Sequence, residues 1–108
     1  MVLSFRIPNS ALRIRNMVIG ALEVRLLVRE SRTLKDKRQV VRSIKDRLRN
    51  AFNVSVAEVG DSDHRQLVVL GLAMVSNEAR HVRADLEKIV AALRGHPVAE
   101  FLDHEIEV

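Results

Sequence analysis

The chain has 108 residues, 47% of them apolar and 30% charged, with no cysteine and only three aromatic side chains, all phenylalanine. That length and balance describe one globular domain with one core, and exclude a disordered chain. The missing thiols exclude disulfides, thiolate metal centres and a cysteine nucleophile together, and they fit a reducing, cytoplasmic setting. The formal charge is +4, but the first sixteen residues hold three of the eighteen basic side chains (Arg6, Arg13, Arg15) and none of the fourteen acidic ones. The remainder is close to neutral, so a link to nucleic acid has to rest on how charge is distributed.

Residues 1–16 lack the long apolar stretch of a secretory signal. They read as a flexible basic extension or a mis-assigned start, with Met17 the alternative first residue. Residues 17–108 read as a single domain. Residues 17–28 have the period of a strand: Val18, Leu22, Val24, Leu26 and Val28 alternate with Glu23 and Arg25, and Gly20 on the apolar face marks close packing. A helix follows, with Thr33 as N-cap and Asp36 as a capping-box-like partner. Leu34, Val40, Val41, Ile44, Leu48, Ala51 and Phe52 fall on one side of it, and it should stop near residues 50–53.

Residues 53–59 form a second strand, residues 60–63 (GDSD) a turn, and residues 66–76 a third strand. The third strand is apolar on both faces, with Leu67, Val69 and Val75 opposite Val68, Leu70, Leu72 and Met74, which is the pattern of a central strand. Its run from Leu67 to Val75 is too short to span a membrane, which takes about 20 residues, and no membrane partner is expected. The second helix is capped by Ser76 or Asn77, carries a stripe of Ala79, Val82, Leu86, Ile89, Val90 and Leu93, and ends at Gly95 and Pro97. The last strand covers residues 98–108, with Val98, Leu102, Ile106 and Val108 on one face. The order βαββαβ predicts an α+β, ferredoxin-like sandwich: a four-stranded antiparallel sheet with two helices on one face. The other sheet face would then be open, and a homodimer through that face is the expected cover.

The segment from Arg29 to Arg49 holds nine basic residues against Glu30, Asp36 and Asp46. Lys35, Arg38, Arg42, Lys45 and Arg49 lie within an arc of about 80° on the helix. Phosphate recognition uses such arrays, because neutralised phosphates release counterions; a solvated helix face is the plainer alternative. Lys37 projects into the apolar arc, as a stem snorkelling to the core margin or as a buried lysine with altered chemistry. The last strand is the electrostatic opposite, with Glu100, Asp103, Glu105 and Glu107 and no base. Its acids serve solvation or pairing with a basic neighbour, and discourage aggregation at a sheet edge. His64, His81, His96 and His104 show no metal-ligand spacing, and Asp61, Asp63 and His64 share what is best explained as a polar turn. No nucleotide-loop or nucleophile-elbow motif is present, so no catalytic residue, metal or cofactor is expected. No aromatic falls on the central strands, so RNA bases would not be read by stacking there.

The stretch TLKDKRQVVRSIKDRLRNAFNVSVAEV, followed by LGLAMVSNEARHV, resembles the YlxP-like bacterial family of unknown function over about residues 17–108. Its most specific parts are Leu34-Lys35-x-Lys37-Arg38, Asn53 to Glu58, and Val75-Ser76-Asn77. His64-Arg65 departs from the pattern, standing where many members carry an aromatic. The resemblance implies a ferredoxin-like fold. It also implies an association with translation, since genes of this family commonly lie beside those for translation initiation factor two and ribosome-binding factor A; it brings no catalytic residue. The expectation is a non-enzymatic accessory protein that binds ribosomal RNA or a ribosomal particle through Arg29, Arg32, Lys35, Lys37, Arg38, Arg42, Lys45 and Arg49. The alternative is a dimeric protein-interaction module without nucleic-acid binding. An enzyme using Lys37 or the Asp61/Asp63/His64 turn is the weakest reading.

Overall fold

The computed structural model describes residue 14 and residues 16–108; the expected extension over residues 1–16 otherwise lies outside the described residues. Alternating apolar positions become strands β1 (Val18–Leu27), β2 (Val54–Gly60), β3 (Leu67–Ser76) and β4 (Glu100–Glu107), and the two apolar stripes become helices α1 (Leu34–Ala51) and α2 (Ala79–Arg94). The sheet order is β2-β3-β1-β4, and every neighbouring pair is antiparallel. Each helix links two parallel strands with a third between them, which is the ferredoxin-like arrangement.

One face of the sheet is the core face. Leu22, Val24 and Leu26 of β1, Val56 of β2, and Val68, Leu70, Leu72 and Met74 of β3 pack under both helices. Burying each such aliphatic side chain contributes roughly 1.5–3 kcal/mol. Gly20 has the expected packing role. A Cβ there would lie 2.2 Å from Val82 Cγ1 and 3.1 Å from Leu86 Cδ1, so α2 rests directly on the backbone of β1.

The start of α1 follows its sequence signal. Thr33 Oγ1 accepts from the Asp36 backbone N–H at 3.1 Å, and Asp36 Oδ2 accepts from the Arg32 N–H at 3.2 Å. The start of α2 corrects the expectation of Ser76 or Asn77 as cap. Ser76 stays in the β1–β3 ladder opposite Val18, and the N-cap position falls on Glu78, whose side chain makes no capping bond.

β4 corrects a second expectation. Asp103 faces Arg25 and Phe101 faces Leu26, which leaves Leu102 as an extra, bulged residue. Leu102 is therefore 43% exposed instead of sharing a face with Ile106. Phe101 takes the inward position, against the core and under the Arg94 guanidinium at 4.4 Å. The same bulge brings Glu100 onto the face of Asp103, Glu105 and Glu107. A matching irregularity in β2 leaves Val59 unpaired between Glu58 and Gly60.

The second sheet face carries no other element among the described residues. Val75 is 47% exposed on it, although Val69 is buried. A shallow trough of about 530 Å³ runs across it, floored by Ala57, Gly71 and Ala73 and bounded by Glu23, Glu105 and Glu107.

Candidate nucleic-acid interface

α1 turns Lys37, Val41, Ile44 and Leu48 toward the sheet. At 100° per residue, Lys35, Arg38, Arg42, Lys45 and Arg49 then lie along one flank of the helix. Arg49 fixes where that flank sits: its guanidinium donates to the carbonyl of Val56, in the edge strand β2, at 2.7 Å. The opposite flank faces α2, where Arg47 and Leu48 line a narrow groove with Ala92, Leu93 and His96. The basic stripe thus occupies the outer margin of the molecule, beside the sheet edge. Lys35, Arg38 and Arg42 are exposed and Lys45 is half-buried. None of these four has an ion-pair partner among the described residues.

The other expected contributors are placed differently. Arg32 is exposed just ahead of α1, and its carbonyl accepts from Arg65 of the β2–β3 turn at 3.4 Å, so Arg65 stands at the same end of the stripe. Arg29 leaves the stripe. Its Nε donates to Glu100 Oε2 at 2.5 Å, at the β4 margin. That bond, reinforced by the opposite charges, raises the pKa of the guanidinium and lowers that of the Glu100 carboxyl.

Lys37 is a correction. It is fully buried, at 0% exposure, so no phosphate can reach it, and its stem runs inward and does not snorkel to the margin. Its Nζ donates to the carbonyls of Asp61 (3.0 Å), Ser62 (3.2 Å) and Leu67 (3.2 Å) and lies 3.0 Å from Glu58 Oε2. An ammonium has three protons. The three carbonyls use them, so the carboxylate is held by charge without a hydrogen bond of its own. A buried charge needs such partners, because its desolvation is otherwise very costly. Lys37 therefore fastens the first turns of α1 to the β2–β3 turn.

Sequence reasoning misses Glu58 and Arg65. A signal for Glu58 exists: it follows Val54 and Val56 at period two, on the core face opposite Leu70. A charge at an apolar position of a strand and another at an apolar position of the helix over it are a pair in waiting. Arg65 has no such signal, because only the fold brings the turn beside Arg32.

The turn histidines have a structural task. His64 Nδ1 accepts from the N–H groups of Gln66 (3.0 Å) and Leu67 (2.9 Å), and His96 Nδ1 accepts from those of Val98 (3.1 Å) and Ala99 (3.0 Å). Each imidazole thus closes the turn leading into β3 or β4, with Nδ1 unprotonated. Burial, with a smaller part from the charge of Arg47, pushes the pKa of His96 down. No three His, Asp or Glu side chains converge as metal ligands among the described residues, Asp61, Asp63 and His64 included.

Residues 19–106 match the family described as a protein of unknown function, DUF503. The chain belongs to that family. It is 32% identical over 83 residues to the uncharacterized protein YlxP of Bacillus subtilis (strain 168), covering 77% of this chain and 90% of that one. The DUF503 span takes in the whole of α1 with its basic flank, the Lys37–Glu58 pair and both histidine-closed turns. No helix among the described residues is long and apolar enough to cross a membrane.

Proposed function

We propose that this DUF503 protein is a non-enzymatic, cytoplasmic accessory protein that binds ribosomal RNA or a ribosomal particle through phosphate contacts made by the outer flank of α1. The observation that carries this reading is the run of unpaired cations on successive turns, Lys35, Arg38, Arg42 and Lys45, with Arg32 and Arg65 at its start. Cations held on one rigid helix at regular spacing meet several phosphates at once, and the release of condensed counterions supplies the affinity. The open sheet face has no aromatic for base stacking, which favours contact with the backbone over sequence reading. A dimer joined through the open face draws support from the exposed Val59 and Val75. A two-fold contact centred on the β1–β4 half of that face would oppose like acids, which favours the RNA reading.

The test is binding of the full chain to ribosomal RNA and to isolated ribosomal subunits across a salt series, beside Arg38→Ala/Arg42→Ala. Binding should weaken steadily with salt. The variant should bind more weakly, with a slope shallower by about 0.7–0.9 for each phosphate it no longer neutralises. Its stability should stay within about 0.5 kcal/mol of the parent, as for other exposed substitutions. The arginines ahead of β1 are common to both proteins, so the difference isolates the helix. An unchanged slope, or no binding at low salt, would defeat the reading.

A further inference from the structure

We infer that the RNA held by the outer flank of α1 is double-helical and is gripped by that flank and Arg65 together, a conclusion that rests on the RNA-binding role proposed for α1. The cations of this surface stand in a fixed frame. Lys35, Arg38, Arg42 and Lys45 lie along one α-helix, and the ten residues from the first to the last span about 15 Å. Arg65 joins them from a different element, since its guanidinium donates to the Arg32 carbonyl at 3.4 Å. The β2–β3 turn that carries Arg65 is tied to the approach to α1 at several points. Gln66 Nε2 donates to the carbonyls of Arg29 (3.0 Å) and Ser31 (3.4 Å), and the Val28 N–H donates to the Gln66 carbonyl at 2.8 Å. Lys37 holds the carbonyls of Asp61, Ser62 and Leu67 from the side of α1. The backbone beneath Arg65 is thus held in place against the helix that carries the row.

A rigid array suits a rigid ligand, because little conformational freedom is then lost on contact. The phosphates of a double helix are already spaced by base pairing. Those of an unpaired strand have to be ordered, and proteins that hold single strands offset that cost by stacking successive bases on aromatic rings. Among the described residues this surface offers no succession of rings. Phe52 and Phe101 pack against the core, and His64, next to Arg65 in the chain, is a single ring. Charge density works in the same direction. Each phosphate neutralised contributes about 0.9 to the salt slope on a B-form double helix and about 0.7 on a single strand, because the double helix holds its counterions more densely. For four phosphates at about 50 mM salt, that difference alone favours the double helix about tenfold. The deep, narrow major groove of double-helical RNA keeps base edges from side chains, so contact of this kind carries little sequence preference.

The experiment measures binding of the full chain, across a salt series, to an RNA duplex of about 16 base pairs and to each of its component strands, chosen to have no fold of their own. At about 50 mM salt the duplex should bind about tenfold tighter than either strand. Duplexes of permuted sequence should bind alike. In Arg38→Ala/Arg42→Ala, which gives up two phosphates, the preference for the duplex should shrink to about threefold; the arginines ahead of β1 are the same in both proteins. Arg65→Ala, in an exposed turn, should lower the duplex slope by about 0.9. Overturning results are a strand that binds as tightly as the duplex, a preference unchanged in the double variant, a slope unchanged in Arg65→Ala, a spread among sequences as large as the duplex preference, or no binding of the duplex where ribosomal RNA binds. Each of these leaves the RNA-binding role standing if ribosomal RNA binds with a slope that falls in Arg38→Ala/Arg42→Ala. Failure of duplex, strands and ribosomal RNA alike removes that role, and the double-helical ligand with it.

Discussion

α1 and α2 make the same topological move onto the same face of the sheet, and they are fastened there by different means. α2 offers Val82, Leu86, Ile89, Val90 and Leu93, all buried, and settles onto Gly20. α1 offers only Val41, Ile44 and Leu48 as buried aliphatic residues, and begins that stripe with Lys37 in a ring of carbonyls beside Glu58. The α2 half is fixed by shape, with hydrophobic area at a point of closest approach. The α1 half gives its outer flank to cations, and a polar lock secures the end of the helix that meets the β2–β3 turn. The lesson is that a helix can give surface over to charge if one buried, fully partnered charge replaces the apolar contacts it forgoes.

The comparison breaks most sharply at Lys37. Lys37→Ala removes the lock and takes its partner from Glu58 and from the carbonyls of Ser62 and Leu67, while the Asp61 carbonyl keeps the His64 N–H; it should cost about 3–5 kcal/mol in denaturant unfolding. Lys37→Met/Glu58→Leu should recover the share due to the stranded carboxylate but not the share due to the carbonyls, about 1–3 kcal/mol for each buried acceptor left bare. It should therefore fall between Lys37→Ala and the parent; recovery to the parent value would mean that the carbonyl contacts contribute nothing. In the α2 half the matching test is Gly20→Ala. It should cost about 1–3 kcal/mol through overpacking, and less in a Val82→Ala background, because the clash is with that side chain. Equal cost in both backgrounds would place the effect elsewhere.

The smallest expected effect sharpens a likeness, since the turns into β3 and β4 are each closed by a histidine. The folded-state pKa of His96 is lowered, so its contribution is fully present above the unfolded value of about 6.5 and is lost as pH falls from there through the folded value. Protonation takes Nδ1 away from Val98 and Ala99. His96→Asn places an amide oxygen where Nδ1 was, an acceptor suited to such turns. Its melting temperature should therefore fall less than that of the parent between pH 7.5 and 5. The same fall in both would remove His96 as the source.

Much of this is legible in the sequence. The six elements, the sheet class, the N-cap at Thr33, the close approach at Gly20 and the basic flank of α1 all follow from period, capping chemistry and residue size. The failures share a cause: they depend on a partner remote in sequence. Lys37 stands out of place on its helix, but its role needs Glu58 and a turn more than twenty residues away. Arg29 is basic like its neighbours, and only pairing with Glu100 removes it from the stripe. Leu102 joins the core side only when alternation is extended through a position where the ladder skips a residue. The open face follows from the order of elements, whereas the opposition of Glu23 and Glu105 needs the register of β1 against β4.

The bulge at Leu102 also bears on how this chain tolerates changes in length. Loss of one residue from a strand ordinarily sends everything beyond it to the wrong face. Here Phe101 and Asp103 face Leu26 and Arg25, which are consecutive, so β4 carries one residue more than its partner uses. Deleting Leu102 would close the ladder into a regular one, with Phe101 still facing the core and Asp103 still facing out. At this point a codon can be dropped with less disturbance to the fold than at its neighbours.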